Sequence, residues 1–373
     1  MKGDVAAVLA HYDLGGEVGA VEPVAEGHIN RSWTVALAGL PDSRCPIPGP
    51  RFFLQQVNSS VFPDPERVVE NIAAVTAHLS RAIRVAGLPS PERRALALVP
   101  TREGRPWYRD PDGRYWRLYP YIAGTAVREH VTTPAEACEV GRAFGAFQRL
   151  LADFRGERLH ETIPYFHDTA RRVAALEAAA SADRAGRLAG CRPEVEALVS
   201  RGNLAEVLPP LLASGDVPER IAHNDAKSSN VLLDERTGEA LCVVDLDTVM
   251  PGTALADFGD MVRSSTSPTA EDEPDLTRVF VRPYLFAALA EGYLAEAGAT
   301  LTAAERAHLV FAGRWITYEQ AVRFLTDHLA GDEYFRVANA GHNLVRTRSQ
   351  MALLESLERS EEALHAIIER IAT

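Results

Sequence analysis

The sequence predicts an α+β fold of two lobes, in which a small β-rich lobe at residues 1–122 precedes a larger, mainly helical lobe at residues 123–373. Two patterns support this prediction. Runs of β-branched and aromatic residues separated by turn residues fill the first part of the chain, whereas apolar residues recur at helical spacing from about residue 134 onward. A chain of 373 residues is also longer than a usual single domain, so we expect a cleft between two lobes that can bind a ligand.

Composition and charge argue against several classes of protein. The net charge of −12 disfavours binding to a nucleic-acid backbone. The N-terminus lacks the apolar core of a signal peptide and no apolar run approaches the length of a membrane span, so we expect a cytoplasmic protein without membrane contact. The cysteines are widely scattered without metal-binding spacing, which predicts free thiols in a reducing compartment. They are Cys45, Cys138, Cys191 and Cys242.

The first elements are predicted to form a hairpin. Residues 18–38 contain two β-type runs with a turn at Gly27, and a glycine there would let the backbone approach an anionic ligand closely. An ordinary hairpin turn explains the same residues equally well. Residues 39–50 are rich in Pro and Gly and are expected to form an exposed connection.

A third strand and a helix follow. Residues 51–57 have β-type composition. The helix is predicted at residues 65–79, because Asp64 is a suitable N-cap and the proline after it is a favourable first helical residue. Glu66 and Glu70 are four residues apart and therefore lie on one face of this helix.

A tight turn at residues 109–114 separates two further strands. The second of them, at residues 115–122, runs into Ala123-Gly124 and is predicted to be the hinge between the lobes. Tyr121 and Ile122 would there offer backbone N–H and C=O groups to a planar ring. Aromatic packing in a plain strand core is the alternative explanation for most of the side chains.

The rest of the chain has helical patterns. Apolar residues at positions 140, 144, 147 and 151 lie on one helix face. Further helical stretches are predicted at residues 168–214, 283–297, 303–329 and 343–371.

One segment, from His223 to Asn230, has the spacing of a phosphoryl-transfer loop. In such a loop an Asp accepts the proton of the attacking hydroxyl and an Asn five residues later helps to hold Mg²⁺, which matches Asp225 and Asn230. Lys227 lies between them and, apart from Lys2, is the only lysine in the chain. It is therefore a candidate for a point charge directed at a transferring phosphate. His223 is expected to be a buried structural histidine.

A hairpin predicted after this loop brings carboxylates back beside it. Residues 231–234 and 240–247 are two apolar β-type runs around a glycine-containing turn, and the second run ends with Asp245 and Asp247. Together with the loop they form an oxygen-rich group that suits Mg²⁺ with ATP, and we assign Asn230 and Asp245 as the metal ligands. A single Asp after a strand is more often a turn or cap residue than a metal ligand. The metal site is predicted because several such residues occur together.

The letters Asp257-Phe258-Gly259 repeat a protein-kinase metal motif, but we do not assign Asp257 to the metal. The metal carboxylate is expected at the end of the hairpin strand, where Asp245 stands. Asp257 follows Pro251-Gly252 and precedes a predicted helix. We therefore expect it to be an N-cap or to hold the catalytic loop.

These residues resemble the aminoglycoside phosphotransferase and choline kinase superfamily of small-molecule kinases. Within it, segments across most of the chain are most similar to the N-acetylhexosamine 1-kinases. The segments are residues 27–30, 53–58 with 61–63, 223–230, 244–252, 257–260 and 323–328. The resemblance implies a bilobal protein-kinase-like fold, ATP and Mg²⁺ as cofactors, Asp225 as the catalytic base and Lys227 as a catalytic cation.

The resemblance also implies where the nucleotide binds. Gly27 and Asn30 correspond to the loop over the phosphates, and Tyr121 and Ile122 correspond to the hinge that binds adenine. A single glycine is a weak signal of a phosphate loop by itself.

Kinases carry a lysine on the third strand, and this chain does not. Gln55 or Gln56 occupies that position, of which Gln56 is assigned to the nucleotide site, and Glu66 or Glu70 is a candidate for the kinase helix glutamate. Solvated surface acids are the alternative explanation for the two glutamates. The cation that binds the phosphates stays open, with the candidates Arg31, Arg51 and Lys227.

The candidate acceptor-binding residues are Arg314, Tyr318 and Arg323, together with Asp225. A sugar needs both donors and acceptors, and an aromatic ring to cover it, although structural salt bridges explain each residue equally well. The predicted reaction transfers the γ-phosphate of ATP to the anomeric hydroxyl of GlcNAc or GalNAc. The alternatives are a kinase of an aminoglycoside, an amino alcohol or another sugar, and a non-catalytic nucleotide-binding protein. The sequence leaves the oligomeric state open.

Overall fold

The computed structural model describes residues 2–24, 29–38 and 51–372. The predicted glycine turn at Gly27 and the connection at residues 39–50 lie outside the described residues.

The first lobe is an antiparallel sheet with a helix on each face. Its strands are β1 (Glu17–Val24), β2 (Arg31–Ala38), β3 (Arg51–Gln56), β4 (Tyr108–Arg109) and β5 (Tyr115–Pro120), and its helices are α1 (Lys2–Leu9) and α2 (Pro65–Val85). The strand order is β1-β2-β3-β5-β4. Leu54, Trp116 and Leu118 pack with α1, whereas Phe53 and Tyr119 pack on the opposite face with α2. The alternation of side chains along a strand therefore decides which residues of β3 and β5 face α2 and the second lobe.

The helix α2 begins as the sequence predicts. The Asp64 side chain accepts a hydrogen bond from the Arg67 backbone N–H, and Pro65 is the first helical residue. The helix continues to Val85, about two turns beyond the predicted end, because apolar residues as far as Ile83 stay buried against the sheet.

Five short strands follow the first lobe along the described part of the chain. They are β6 (Thr125–Ala126), β7 (Arg220–Ala222), β8 (Val231–Asp234), β9 (Ala240–Val243) and β10 (Met250–Gly252). The predicted hairpin is formed by β8 and β9, with β6 added at its edge, and β7 pairs with β10. Both pairs lead into the segments that carry the predicted site.

The second lobe is mainly helical, which confirms the predicted α+β class. Its helices are α3 (Pro134–Leu151), α4 (Thr169–Ala182), α5 (Arg192–Ser200), α6 (Leu208–Ser214), α7 (Ala254–Ser265), α8 (Pro283–Ala297), α9 (Ala303–Ala307), α10 (Leu309–Ala330), α11 (His342–Arg359) and α12 (Glu361–Ala372). The boundary after residue 122 stays a prediction.

Several predicted long helices are interrupted. The stretch at residues 168–214 contains α4, α5 and α6, because Asp183 adopts a left-handed conformation with φ 38° and its carboxylate binds the N–H groups of Arg187 and Leu188. The last two predicted stretches each contain two helices, which are separated at His308 and at Ser360.

The core of the second lobe depends on close contact between α3 and α8. A Cβ atom at Gly141 would lie 2.1 Å from the Leu289 carbonyl oxygen, and one at Gly292 would lie 2.0 Å from the Cys138 carbonyl oxygen. Only glycine allows the two backbones to approach this closely. The described cysteines Cys138, Cys191 and Cys242 are free thiols, as predicted, and Cys45 lies outside the described residues. Among the described helices, none combines the length and apolar character that crossing a membrane requires.

Candidate active site

The predicted catalytic loop follows β7 and is held by Asp257. The backbone N–H groups of His223 and Asn224 donate to the Asp257 carboxylate at 2.9 and 2.8 Å, and Gln148 Nε2 donates to it at 2.8 Å. Burial raises the pKa of Asp257, and its three donors oppose that shift. The N-cap of α7 is Thr253. Asp257 therefore holds the loop, and the alternative prediction that it is an N-cap is wrong.

His223 has a structural role. Its ring is fully buried, its Nε2 lies 2.9 Å from the Val244 carbonyl oxygen, and its Nδ1 accepts the Asp225 backbone N–H at 3.3 Å. Because a carbonyl can only accept, these partners place the ring proton on Nε2. The ring thus connects the catalytic loop to the segment after β9.

Asn224 gives the loop its sharp turn. It adopts a left-handed conformation with φ 62°, which Asn tolerates better than most residues, and its Nδ2 donates to the Thr248 carbonyl oxygen at 3.0 Å. A Cβ atom at Gly252 would lie 2.6 Å from Asn224 Oδ1 and 2.8 Å from the Ala222 Cβ. A glycine in β10 therefore leaves the space that the loop occupies.

Asp225 is in direct contact with both Lys227 and Asn230, as their spacing predicts. Lys227 Nζ lies 2.9 Å from Asp225 Oδ2, and Asn230 Nδ2 donates to the Asp225 carbonyl oxygen at 2.8 Å and to Oδ2 at 3.1 Å. Desolvation opposes ionisation of Asp225, but the Lys227 ammonium, together with His223 and Arg263, lowers the pKa of Asp225 to about 2. The carboxylate is therefore charged at neutral pH and can accept a hydrogen bond from a hydroxyl.

Asp245 differs from the other acids of the cleft because no side-chain hydrogen bond or ion pair engages it within the described ranges. It adopts a left-handed conformation with φ 60°, an uncommon state for a residue with a Cβ, and its side chain is open to solvent. Desolvation by nearby protein atoms and the Asp247 carboxylate raise the pKa of Asp245, and the Lys227 ammonium opposes that shift. An exposed carboxylate without a hydrogen-bond or ion-pair partner is available to a cation.

The donor set fits Mg²⁺ only with help from a ligand. In the part of the chain that the structure describes, no three His, Cys, Asp or Glu side chains are placed to hold a metal ion together. Asp245 and the Oδ1 atom of Asn230, whose Nδ2 is used by Asp225, are the available protein ligands. Mg²⁺ typically takes one or two protein oxygens and completes its shell with water and phosphate. The two predicted metal ligands are therefore suited to a cation that arrives with a nucleotide.

Asp247 is buried and bound from the first lobe. It forms an ion pair with Arg117 of β5, and Asn30 Nδ2 donates to its Oδ2 at 2.6 Å. The other end of the Asn30 amide accepts the Asn58 backbone N–H at 3.0 Å. Asn30 was predicted to contact the nucleotide, but both ends of its amide bind protein groups.

Gln55 and Gln56 lie on opposite faces of β3, and the assignment of Gln56 to the nucleotide site stays a prediction. Gln56 lies on the face of β3 that Leu54 shares, and Leu54 packs with α1. Gln55 lies on the opposite face with Phe53, toward α2, and its Oε1 accepts Arg117 Nε at 3.0 Å.

In the predicted hinge, one backbone group of Tyr121 and one of Ile122 are already used in hydrogen bonds within the protein. The Tyr121 N–H donates to the Arg51 carbonyl oxygen at 2.9 Å, and the Ile122 carbonyl oxygen accepts Thr125 Oγ1 at 2.8 Å. The Tyr121 carbonyl oxygen and the Ile122 N–H have no hydrogen bond among the described residues. These two groups are available to an adenine ring, so the role of Tyr121 and Ile122 stays a prediction.

Two of the predicted acceptor residues are engaged elsewhere. Tyr318 is fully buried and its hydroxyl donates to the Leu198 carbonyl oxygen at 2.9 Å, so the prediction that it contacts substrate is wrong. Arg314 Nη1 lies 2.6 Å from Glu361 of α12. The helix face that carries both residues packs on neighbouring helices. Its two polar side chains therefore have their hydrogen-bond and ion-pair partners within the protein.

Arg323, the third predicted acceptor residue, is surrounded by aromatic rings. Its guanidinium carbon lies 4.9 Å from the ring centre of Phe166, 5.5 Å from that of Phe335 and 5.8 Å from that of Tyr334. We call this group the Arg323 cluster. A cation on aromatic faces is stabilised by the ring quadrupoles and keeps its edge donors for other partners.

A chain of contacts leads from the Arg323 cluster to Arg263 of α7. Phe335 contacts Phe324, Arg346 lies over Phe324, and Glu271 pairs with Arg346 at 3.6 Å and with Arg263 at 3.1 Å. The Arg263 charge in turn helps to lower the pKa of Asp225, after the larger effect of Lys227.

The sequence prediction missed Arg117 and Arg263. The signal for Arg263 was its separation of three residues from Asp260, whose carboxylate lies 2.7 Å from Arg263 Nε. The signal for Arg117 was a lone arginine that alternates with Trp116 and Leu118 on a predicted strand.

Comparisons with known proteins agree with this geometry. The family model APH, described as the phosphotransferase enzyme family, matches residues 20–309. A microcompartment-associated aminopropanol kinase is 16% identical over 98% of this chain and 99% of its own, with a TM-score of 0.60. A spectinomycin phosphotransferase in complex with ADP and spectinomycin is 13% identical over 97% and 98% of the two chains, with a TM-score of 0.57. A choline kinase from Cryptosporidium parvum is 12% identical over 99% and 98%, with a TM-score of 0.55. At these identities the similarity to the three structures shows the fold.

Proposed function

This chain belongs to the phosphotransferase enzyme family, and from that premise we propose that it transfers the γ-phosphoryl group of ATP, with a divalent cation, to the anomeric hydroxyl of an N-acetylhexosamine. The observation that carries the proposal is the contact of Asp225 with Lys227 and Asn230 beside the unpaired Asp245. This arrangement supplies a hydrogen-bond acceptor, a cation and a metal carboxylate in one cleft, which is the set that phosphoryl transfer to a hydroxyl requires.

In the proposed reaction Asp225 orients the acceptor. Its carboxylate accepts a hydrogen bond from the acceptor hydroxyl, the new O–P bond forms to the γ-phosphorus, and the bond to the β-phosphate oxygen breaks to release ADP. The nearby Lys227 ammonium lowers the pKa of Asp225 and so makes it a weaker base, and we place the proton transfer late, when the O–P bond is already forming. Asp225 therefore contributes mainly by orientation.

Charge stabilisation is assigned to the cations. Lys227 lies beside Asp225 and is fixed by it, so its ammonium needs little reorganisation to stabilise charge on the phosphoryl oxygens. Asp245 and Asn230 would hold a divalent cation, which would supply positive charge against the negative charge of the phosphates. The spectinomycin phosphotransferase of the same fold contains ADP, which supports an adenine nucleotide here.

We infer that the Arg323 cluster lines the acceptor site, and from this placement that the acceptor is neutral. An aromatic cage commonly binds an ammonium group of a ligand, but here the aromatic faces of Phe166, Tyr334 and Phe335 are covered by the protein's own guanidinium. A cationic acceptor would meet a fixed positive charge, whereas sugar hydroxyl and acetamido oxygens accept hydrogen bonds from it. This favours an N-acetylhexosamine over an aminoglycoside or an amino alcohol, and it agrees with the resemblance in residues 323–328.

The test is an acceptor panel. The purified protein is incubated with ATP, Mg²⁺ and GlcNAc, GalNAc, glucose, an aminoglycoside, aminopropanol or choline; ADP release is measured and the product is identified by phosphorus NMR. We expect turnover with the two N-acetylhexosamines and a phosphate on the anomeric carbon. Phosphorylation of a primary hydroxyl or of the amine-bearing acceptors would reject the proposed acceptor. Nucleotide binding without any turnover would favour the non-catalytic alternative that the missing strand lysine raised.

A further inference from the structure

The third strand carries no lysine, and Arg117 is the cation that lies beside the corresponding position. β3 and β5 pair with Gln55 opposite Arg117, and the Gln55 side chain accepts Arg117 Nε at 3.0 Å and Nη2 at 2.8 Å. The Arg117 side chain is only 1% exposed and forms an ion pair with Asp247, which is 4% exposed. None of the three cations that the sequence suggested occupies this place.

The glutamates of α2 do not pair with this cation. The Tyr115 hydroxyl donates to Glu66 Oε1 at 2.8 Å, and Glu70 lies 3.0 Å from His160 Nε2. The lysine–glutamate pair that joins a strand to a helix in protein kinases has therefore no counterpart between α2 and the sheet in the described residues. The strand cation is paired instead with a carboxylate of the second lobe.

Burial makes the pairing of Arg117 and Asp247 necessary. A buried charge that loses its partner is strongly destabilising, whereas a buried pair can be replaced by neutral groups at low cost. Asp247 lies two residues after Asp245, so a charge on Asp247 is close to the predicted cation ligand.

We propose that Arg117 is a positioning residue for phosphoryl transfer, which neutralises and fixes Asp247 so that Asp245 is the one carboxylate of the Asp225, Asp245 and Asp247 group left unpaired for the divalent cation. This inference rests on the proposed kinase function. Arg117 acts through Asp247 and does not touch phosphate, because its described contacts are with Gln55, Asp247 and the Tyr119 ring and its side chain is enclosed.

The test is a double-mutant cycle that removes each charge alone and both together. Its variants are Arg117→Gln, Asp247→Asn and the double variant Arg117→Gln/Asp247→Asn. Arg109→Gln is the matched control, because Arg109 is an exposed arginine of the neighbouring β4 that lies over the Tyr115 ring. For each protein, the affinity for ADP is measured by calorimetry as a function of Mg²⁺ concentration, together with the midpoint of thermal unfolding.

We expect the two single variants to change the half-saturating Mg²⁺ concentration in opposite directions. Arg117→Gln leaves Asp247 charged beside Asp245, which attracts the cation more strongly, and Asp247→Asn leaves an uncompensated positive charge, which repels it. Each change is expected to be on the order of tenfold. The double variant should return to within about threefold of the unsubstituted protein and unfold at a higher temperature than either single variant. Arg109→Gln should change neither quantity.

Two results would overturn the proposal. If Arg117 bound phosphate directly, the double variant would bind ADP as weakly as Arg117→Gln alone. If Arg117 and Asp247 were not coupled, the decreases in unfolding temperature of the two single variants would add in the double variant. Failure of the unsubstituted protein to bind Mg²⁺ and ADP would reject the proposed function instead, and the unfolding cycle would then still decide whether Arg117 and Asp247 act as a pair.

Discussion

Lys227 lies 2.9 Å from Asp225 Oδ2, so the residue proposed to accept the substrate hydroxyl and the residue proposed to stabilise the phosphoryl group are a charged pair before any ligand binds. Both are about one-third exposed, at 30% and 31% of their side-chain surface. The pair is therefore reachable from the cleft, while Asn230 fixes the carboxylate from the protein side.

Asp225→Asn should abolish turnover and leave nucleotide binding nearly intact. The amide keeps the shape of the carboxylate and can still accept from Asn230, but it carries no negative charge to orient the hydroxyl and to take its proton. ADP release and calorimetry with ATP and Mg²⁺ measure the two effects. Loss of nucleotide affinity comparable to the loss of turnover would instead assign Asp225 to the metal or to the fold.

Lys227→Met should lower kcat by about 100- to 1,000-fold with little effect on the KM for ATP, because the ammonium acts on charge that develops in the transition state. The variant also removes the charge that lowers the pKa of Asp225, so that pKa rises. Activity requires the carboxylate form, and the remaining activity should therefore fall at a higher pH on acidification than in the unsubstituted enzyme. The rates are measured from pH 4 to pH 8. A rise in KM alone would contradict this role.

Asp245→Ala and Asp257→Ala should have separable effects. Asp245→Ala removes the unpaired carboxylate and should eliminate Mg²⁺-dependent nucleotide binding without a large change in stability. Asp257→Ala leaves the N–H groups of His223 and Asn224 buried without a partner, at a cost of about 1–3 kcal/mol for each. Calorimetry with Mg²⁺ and denaturant unfolding measure the two properties. The control is Asp153→Ala, since that side chain is 79% exposed. If Asp257→Ala lost Mg²⁺-dependent nucleotide binding and Asp245→Ala lost only stability, Asp257 would be the metal ligand.

Gly252→Ala should destabilise the catalytic loop. The added methyl group would lie 2.6 Å from Asn224 Oδ1 and 2.8 Å from the Ala222 Cβ, which is closer than atoms can approach, so β7 or Asn224 must shift. Overpacking of this kind costs about 1–3 kcal/mol. Gly190→Ala is the matched control, because no heavy atom lies within 4 Å of a Cβ built at that position. Equal unfolding midpoints and equal rates for the two variants would contradict the close contact.

The parts of the site that follow from local spacing were predictable from the sequence. Asp225, Lys227 and Asn230 lie within six residues of one another, and the hairpin that carries Asp245 follows directly, so neither depends on a distant contact. The different positions of Asp245 and Asp257 were predictable for the same reason. Asp245 ends the hairpin strand, whereas Asp257 comes later in the chain.

The parts that depend on pairing between distant segments were not predictable. Which of Gln55 and Gln56 faces α1 requires knowing which side of β3 that helix covers, because adjacent strand residues point in opposite directions. The role of Arg117 follows from the register of β3 with β5 and from contact with the second lobe. Tyr318 carries a polar group in a helical pattern that resembles a substrate face, but only packing against Leu198 reveals that its hydroxyl is used in the interior.

The contacts that hold α2 have a consequence for regulation. Asn71 of this helix donates to the carbonyl oxygens of Val249, at 3.0 Å, and His160, at 2.8 Å, and both belong to the second lobe. In protein kinases the equivalent helix moves, and activating modifications control catalysis by returning it to its place. A helix that is tied across the cleft by a buried amide is already in place when the chain has folded. We therefore expect a constitutively assembled enzyme, whose output follows the cellular supply of nucleotide and acceptor.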